Sequence, residues 1–583
     1  MQNRLRFQSF FYFSLGIFLI FLCNWPLFTT RVAVNWDAFD WLWPYFRWYG
    51  SALRDGYFPD FFPNILSGYP SGSNIQSGLY NPLYLTFAFL FPDSVLSINL
   101  LYLSLLIIIF SLSFAIAKTF FLSSLTSLYF SLAISSSGFV IGHASHIPFL
   151  STYGGLLSIF LGLRYGLLNK YSKAFIAVCG GTFFLLTAGY PQNIFFGGLC
   201  LAFYWIYLFF DTPKKPSFLL VTLGSALIGG VLAIPALWHF TNLLLISSRG
   251  NGLSPIAAMQ NSLPSYSLLN FFYAPWKMGF FEPTMERFHL LWISGFLIGL
   301  ALWDAIINKA LRGKIILLIS LAALLTLLSL GGNGILPIRL WLAEHLFIFR
   351  VSRHPSAEHS GIALFIFALI TAFALDRLQL RFKHLSIFLI ILISIDFYFI
   401  QIQTQDIRFS NIPNRYQGKV PLFITAFSSE TQSLIDSPRI CIPDGIDAGS
   451  TALWAERDLL APNGFYWNAF EGLRDQTYES ERVAAKSLLC APSRLIESSS
   501  QEPYPYQLIL YSLGDIKFKV LGNALDKPVK LIWADYNDGF WRLKINGQPT
   551  EIQAGPAKTR IFEAKSGDTI EMRYLGPLSQ LWR

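Results

Sequence analysis

Asp37 and Asp40 mark the segment of this chain where residue types and spacing could do chemistry. They lie three apart in N-W-D-A-F-D-W-L-W-P-Y-F, so a helical turn would bring both carboxylates to one face. Trp36, Trp41, Trp43 and Trp48 surround them. Partial desolvation there would raise a carboxyl pKa and make it a better general base, and aromatic faces could stack on a ring-shaped ligand. The plainer reading is that aromatics line membrane interfaces anyway and that an acid just past a helix end is solvated. The segment Asn35–Pro82 goes on through Pro59, Pro63, Gly68, Pro70, Gly72, Gly78 and Pro82. That content marks a compact, turn-rich loop, and long loops of this kind are more often functional than passive.

The elements that must position these residues are apolar helices. Of 583 residues, 53% are hydrophobic and 13% charged, against about 25% charged in a soluble domain. A wholly soluble or disordered chain is excluded. The net charge of +9 is scattered between apolar runs and not clustered, which argues against nucleic acid. The five cysteines, Cys23, Cys179, Cys200, Cys441 and Cys490, show no CxxC and no zinc-ligand spacing. A spanning helix needs about 20 mostly apolar residues, and eleven segments qualify: Phe7–Phe28, Val95–Ala117, Phe120–Ile141, Pro148–Leu168, Ala174–Gly189, Ile194–Phe210, Phe218–Phe240, His289–Ile307, Ile315–Leu330, Gly361–Leu375 and Leu385–Ile402. The first is too long for a removable signal peptide and has no A-x-A-like site after it, so it reads as a retained anchor.

With Arg4 and Arg6 on the cytoplasmic side, alternate loops carry Lys118; Arg164, Lys170 and Lys173; Lys214 and Lys215; Lys309, Arg312 and Lys314; and Arg377, Arg381 and Lys383. That distribution satisfies the positive-inside bias. Eleven crossings then place the loop 29–94 and everything from residue 403 onward outside. The division expected is a transmembrane domain over 1–402 and an extracytoplasmic domain over 403–583. The tail is a mixed α/β region ending in a small β-sandwich over about residues 515–583. Alternating strands are read at Asp515–Leu521, Val529–Trp533, Trp541–Ile545, Thr559–Phe562 and Thr569–Tyr574, separated by turn signals such as Asn546-Gly547. Cys441 and Cys490 both lie on this oxidising side and could pair.

The order of short motifs resembles the YfhO-type bacterial membrane proteins, which belong to the GT-C class of polytopic glycosyltransferases. The residues that carry the resemblance are Asp37, Gly56 with Pro59, Phe62-Pro63-Asn64, Gly68-Tyr69-Pro70, Asn74 with Gln76 and Gly78, and Tyr80-Asn81-Pro82. Gly189-Tyr190-Pro191-Gln192 and Phe349-Arg350-Val351-Ser352-Arg353-His354-Pro355 follow, and Gly539-Phe540-Trp541 with Ile545-Asn546-Gly547 lies near the end. Phe62-Pro63 stands where Trp-Asn-Pro is more usual in that family, and the 143–146 loop lacks an acid. The resemblance implies a bacterial inner-membrane enzyme that moves a sugar from a polyprenyl-phosphate carrier to an outer-face glycan, polymer or lipid. Asp37 would be the catalytic base, with Asp40 as the alternative. Arg350, Arg353 and His354 would bind the leaving phosphate; Asn64, Tyr69, Gln76, Tyr190 and Gln192 would contact substrate. Some members use a divalent metal.

Read from spacing alone, Arg350 and Arg353 could as well snorkel at an interface or pair with Glu344 or Glu358. His143 and His146, in G-H-A-S-H, make an incomplete metal site and read as polar loop histidines. Lys277, Glu282, Glu286 and Arg287 read as a solvated face, and Asp304 as an acid reaching water at a helix end. Two other functions compete. A lipid or polysaccharide transporter would require buried mid-helix charges, of which the apolar segments look free. A non-catalytic scaffold with a glycan-binding outer domain would make Asp37 dispensable.

Overall fold

A computed structural model describes residues 2–35, 37–54, 56, 58–60, 72, 74–92, 94–245, 252–271, 287–307, 309–334, 336–351, 353–382, 386–411, 495–500, 502, 504–511, 515–522, 527–536, 541–555 and 559–575. In chain order the helices are α1 (Gln2–Cys23), α2 (Trp43–Arg54), α3 (Pro82–Leu90), α4 (Leu96–Thr119), α5 (Ser124–Ser135), α6 (Gly138–Gly142), α7 (Ile147–Leu167), α8 (Tyr171–Ala188), α9 (Pro191–Asp211), α10 (Lys215–Leu232), α11 (Ile234–Leu245), α12 (Ile293–Ile307), α13 (Lys309–Leu330), α14 (Ile338–His345), α15 (Pro355–Arg381), α16 (Ser386–Gln403) and α17 (Gln405–Arg408). Among the described residues nine helical stretches are long and apolar enough to cross a membrane, and Phe7–Cys23 and Ile293–Asp304 are shorter apolar helices. Each expected crossing coincides with one of these. In lipid every backbone polar group must be satisfied within the segment, which is why the apolar runs are helical. The chain is an α-helical polytopic membrane protein.

The ends depart from expectation where local chemistry overrides hydropathy. The first helix stops at Cys23, and Pro26 turns Trp25–Phe28 into a 3-10 turn. The expected crossing Phe120–Ile141 is broken at Ser136 and Ser137. Ser136 Oγ donates to Leu132 O at 2.6 Å, and Ser137 Oγ accepts from Val140 N. Serine hydroxyls compete with the helix ladder in this way and cap a new start. The run Phe218–Phe240 likewise divides into α10 and α11, the second with Pro235 just inside its start. Conversely α15 begins six residues before the expected Gly361, because Pro355 suits a first helical turn.

The chain divides into two compact units. In the first, formed by Met1–Ala38, Ile98–Ile234 and Asn251–Ile412, a short ribbon ties the first span to the last. Strand β1 (Val32–Val34) pairs antiparallel with β2 (Phe409–Asn411), Val34 opposite Phe409. Asn99 on α4 accepts from Val34 N at 3.0 Å and donates to Leu27 O and Val32 O. Arg408, fully buried, donates to Asn24 Oδ1 at 2.8 Å, to Tyr102 Oη and to Gln401 O. Asn35 N donates to Arg408 O at 2.9 Å. Since β1 follows α1 and β2 follows α16, the ribbon holds the C-terminal ends of these two helices together, which for two spanning helices requires an even number of crossings from the end of one to the end of the other.

The second unit comprises Phe39–Ser97, Pro235–Gly250 and Pro413–Arg583. A π-helical turn over Ala38–Leu42 leads into α2. The terminal part is a β-sandwich. One sheet has the order β3-β6-β10-β9 (Leu495–Glu497, Val529–Tyr536, Thr559–Ala564, Gln553–Ala554), the other β4-β5-β11-β7-β8 (Tyr506–Tyr511, Asp515–Val520, Thr569–Tyr574, Trp541–Ile545, Gln548–Thr550). Leu495, Leu531, Trp533 and Phe562 from the first pack against Phe518, Leu543, Ile570 and Met572 from the second. The Asn546-Gly547 turn between β7 and β8 has both residues at positive φ, as a two-residue hairpin loop requires. Residues 412–494, with Cys441 and Cys490, lie outside the described residues, as do Lys277, Glu282, Glu286 and Gly539-Phe540.

Candidate functional site

Asp37 lies three residues beyond β1, so the ribbon and the Asn99 side chain determine where it stands. Its Oδ2 is 2.8 Å from His146 Nε2, and its side chain is 50% exposed against 17% for the histidine. A carboxylate only accepts, so His146 donates from Nε2. His146 precedes Ile147 at the start of α7, and its Nδ1 is 3.2 Å from Ser145 Oγ. Among the influences on Asp37, burial is the largest and pushes its pKa up; the charge and hydrogen bond of His146, then the positive charge of Arg353, outweigh it and hold the carboxyl below its usual 3.8. The result is an ionised carboxylate with one oxygen tied to an imidazole.

Around this pair stands a floor of rings. Phe149 stacks on Tyr190 at 4.1 Å between centroids, and His354 meets both edge-on at 6.1 and 5.9 Å. His146 packs 5.7 Å from Phe149. His143, expected to resemble its neighbour, has a different environment. It is buried between Phe139 and Phe149, its Nδ1 donates to Phe139 O, and burial drives its pKa down to about 3. Among the described residues no group of three or more His, Cys, Asp and Glu converges to hold a metal ion.

The Gly189–Gln192 motif holds the arginine segment in place. Tyr190 N donates to Thr152 Oγ1, Gln192 Nε2 donates to Val351 O at 3.3 Å, and Asn193 Nδ2 to Ala357 O at 2.8 Å. Gln192, expected to touch substrate, therefore also fastens Val351, as Asn193 fastens Ala357, while one face of the Tyr190 ring, also expected to touch substrate, is covered by Phe149. Arg350 is bound to the chain: Nε donates to Leu253 O at 2.8 Å, while Leu253 N donates to Arg350 O. His354 Nδ1 lies 2.9 Å from Asn261 Nδ2.

Of the residues expected to act together, Asp37, Arg353, His354 and Tyr190 meet in the first unit. Gln76 belongs to the second unit, in a 3-10 turn where Asn74 Oδ1 accepts from its backbone N–H. Asn64, Tyr69 and the Asp40 side chain lie outside the described residues.

A second cluster was only partly visible in the sequence. Arg339 on α14 is fully buried; its Nη1 forms an ion pair with Glu358 Oε2 at 2.6 Å and donates to His359 Nε2 at 3.0 Å. Guanidinium cannot accept, so His359 accepts and carries its proton on Nδ1. Phe196 and Phe349 present ring faces to the same guanidinium at 5.5 and 5.2 Å. Glu358 thus pairs with Arg339, a partner that the spacing of the sequence did not offer. Glu358 and Asp396 are also buried acids inside apolar spans, where none was expected. Asp396 Oδ2 accepts from Ile293 N, capping α12 from outside. Arg287, expected on a solvated face, is 2% exposed, and burial lowers its pKa to about 10. Asp304 pairs with Arg377 at 3.1 Å.

No protein-family model matches the chain, and no curated protein matches it. Among solved structures it is similar to the arabinofuranosyltransferase AftD from Mycobacteria, studied by single-particle cryo-EM, at 12% identity with a TM-score of 0.39. That match covers 69% of this chain and 26% of the other, so the chain spans little more than a quarter of that protein.

Proposed function

We propose that this chain is a membrane glycosyltransferase of the GT-C kind, taking a sugar from a polyprenyl-phosphate carrier and passing it to a glycan, polymer or lipid at the outer face. The observation that carries the reading is the Asp37–His146 pair, half open to water, with Arg353 near enough to lower the carboxyl pKa. The order of the sequence motifs supports the same class. The N-terminus is taken as cytoplasmic on the distribution of Lys and Arg, and the site as facing outward in a bacterial inner membrane.

The chemistry follows from the groups present. An acceptor hydroxyl attacks the anomeric carbon and loses its proton to Asp37 Oδ1, while Oδ2 stays bonded to His146. The bond from that carbon to the phosphate oxygen breaks, and its electron pair leaves on the lipid phosphate. A phosphate is already a stable anion, so it calls for positive charge and not for an acid. Arg353 and the His354 imidazole supply donors to it. A carboxylate held below its usual pKa is a weaker base, but it is fully ionised at neutral pH. The Phe149–Tyr190 stack gives the sugar or the first isoprene units an apolar floor.

The test is transfer of radiolabel from polyprenyl-phosphate sugars in membranes, comparing the intact chain with Asp37→Asn and Arg353→Ala. Loss of a positioned base costs roughly 10²–10⁴-fold in rate, and loss of one donor to a developing anion roughly 10²–10³-fold. Equal transfer by Asp37→Asn and the intact chain would remove Asp37 as the base and leave Asp40 to be tried. Absence of transfer from every such donor by the intact chain would leave the scaffold reading.

A further inference from the structure

The two sheets of the terminal sandwich have unlike outer faces. On the four-stranded sheet, Ile496, Ile532 and Ile561 are buried on the side away from the sandwich core, next to Lys530 and Glu563, which face each other in register. That face is covered at the isoleucines, while Lys530 and Glu563 beside them are exposed. On the five-stranded sheet, the residues alternating with the core positions of β5, β11 and β7 are Lys517, Lys519, Arg542, Lys544 and Arg573, with Thr569, Glu571 and Asp515. Lys519, Arg542, Lys544 and Arg573 are exposed. Lys517 forms a 2.6 Å pair with Glu571, each 39% exposed, and Asp515 stands opposite Arg573 in register. The face left open is therefore net basic across three adjacent strands, although acids and bases are nearly balanced over the sandwich as a whole.

We propose that this basic sheet face is a docking surface for the anionic phospholipid headgroups of the bilayer that carries the chain. Three observations favour this occupant. The charge is complementary, and lysine suits a headgroup layer because its long stem lets the ammonium reach a phosphate. No Phe, Tyr or Trp occupies an outward position of β5, β11 or β7; Phe518, Trp541 and Tyr574 all turn inward. These three strands therefore offer no outward ring on which a sugar could stack, which counts against a glycan as their ligand. Finally, the sandwich begins at Leu495 on the same chain whose last span ends at Gln403. The tether keeps the sheet at high effective concentration beside lipid, so a weak surface attraction suffices. Each basic residue near an anionic membrane strengthens binding roughly fivefold, and the effect fades within a Debye length.

The test uses the full chain in lipid nanodiscs, open on both sides to reagent. An amine-reactive ester is applied, and labelling is read at each lysine by mass spectrometry. In discs enriched in phosphatidylglycerol, Lys519 and Lys544 should label roughly fivefold more slowly than in phosphatidylcholine discs. High salt should abolish the difference, and Lys530 should not respond to lipid. Lys519→Glu, a solvent-facing change that leaves the core intact, should return most of the labelling at Lys544. Equal labelling in the two lipids would overturn the proposal. So would protection that appears in phosphatidylcholine discs only when a soluble polyanionic glycan is added, which would assign the face to a polymer.

Discussion

His146→Ala isolates what the imidazole does for Asp37. It removes a donor held 2.8 Å from Oδ2, a distance typical of a charge-assisted hydrogen bond. Such a bond is worth about 1.5–3 kcal/mol when shielded, but half of the Asp37 side chain faces water, which replaces part of what is lost. A loss of about 1 kcal/mol, or roughly fivefold in kcat/KM, is the expected direct effect. The pH profile is the sharper readout. In the intact protein burial pushes the Asp37 pKa up, and His146 with Arg353 more than offsets it. Without His146, burial is opposed by Arg353 alone, so the carboxyl titrates at higher pH. The acid limb of kcat/KM, which reports the free enzyme, should move upward from below 3.8. The consequence for stability has the same sign. A depressed carboxyl pKa contributes stability that is present above the unfolded value and lost as pH falls through the folded one, and the variant forgoes that contribution. His146→Gln, which keeps an N–H donor, should restore part of the rate but less of the limb, because the imidazole charge stays absent. An acid limb that stays in place or moves to lower pH in His146→Ala would refute this account.

Arg339→Met should lower stability by about 3–5 kcal/mol, since it leaves Glu358 charged and buried, whereas Arg339→Met with Glu358→Leu should recover most of it; thermal unfolding in detergent compares the three proteins. Asn99→Ala removes three hydrogen bonds to the segment before Asp37 and should cost about 1–3 kcal/mol, with transfer activity falling further than stability if β1 positions the acid. Cysteines placed at Thr30 and at Gln405 in a cysteine-free background should react with an impermeant maleimide from the same side of the membrane; reaction from opposite sides would break the parity that the β1–β2 ribbon implies.

The spans were legible because hydropathy alone forces long apolar runs into helices, and the sandwich strands because alternation survives in Ile516, Phe518 and Val520 and in Ile570, Met572 and Tyr574. What hydropathy does not register is where a serine or proline interrupts a run. Ser136 and Ser137 divide one expected crossing, and that break turns the chain into the loop carrying His143 and His146. Asp37 could be singled out from its aromatic neighbours, but its partner could not, because Asp37 and His146 meet only when two distant loops are brought together. The spacing of three between His143 and His146 suggested similar roles, yet α6 and α7 bury the first ring and leave the second beside the acid. Arg350 and Arg353 look equivalent in sequence; the structure places one on a backbone carbonyl at Leu253 and the other within electrostatic reach of the carboxylate.

The acid's placement depends on elements that do no chemistry. A two-stranded ribbon three residues long is marginal by itself in water, so β1 and β2 cannot hold their register unaided. Asn99 saturates the open side of β1, and Arg408 anchors β2 through Asn24, Tyr102 and Gln401. Arg408 is also 4.5 Å from the Phe409 ring, so its buried charge is satisfied on several sides and it cannot leave without exposing them. On the other flank, Gln192 and Asn193 hold the carbonyls of Val351 and Ala357, and Arg339 neutralises Glu358 just inside α15. Both fastenings rest on backbone carbonyls or buried charge, not on surface ion pairs that salt would screen. The carboxylate and the Arg353 guanidinium thus have independent supports, so loosening either support should displace one of the two groups while the other stays in place.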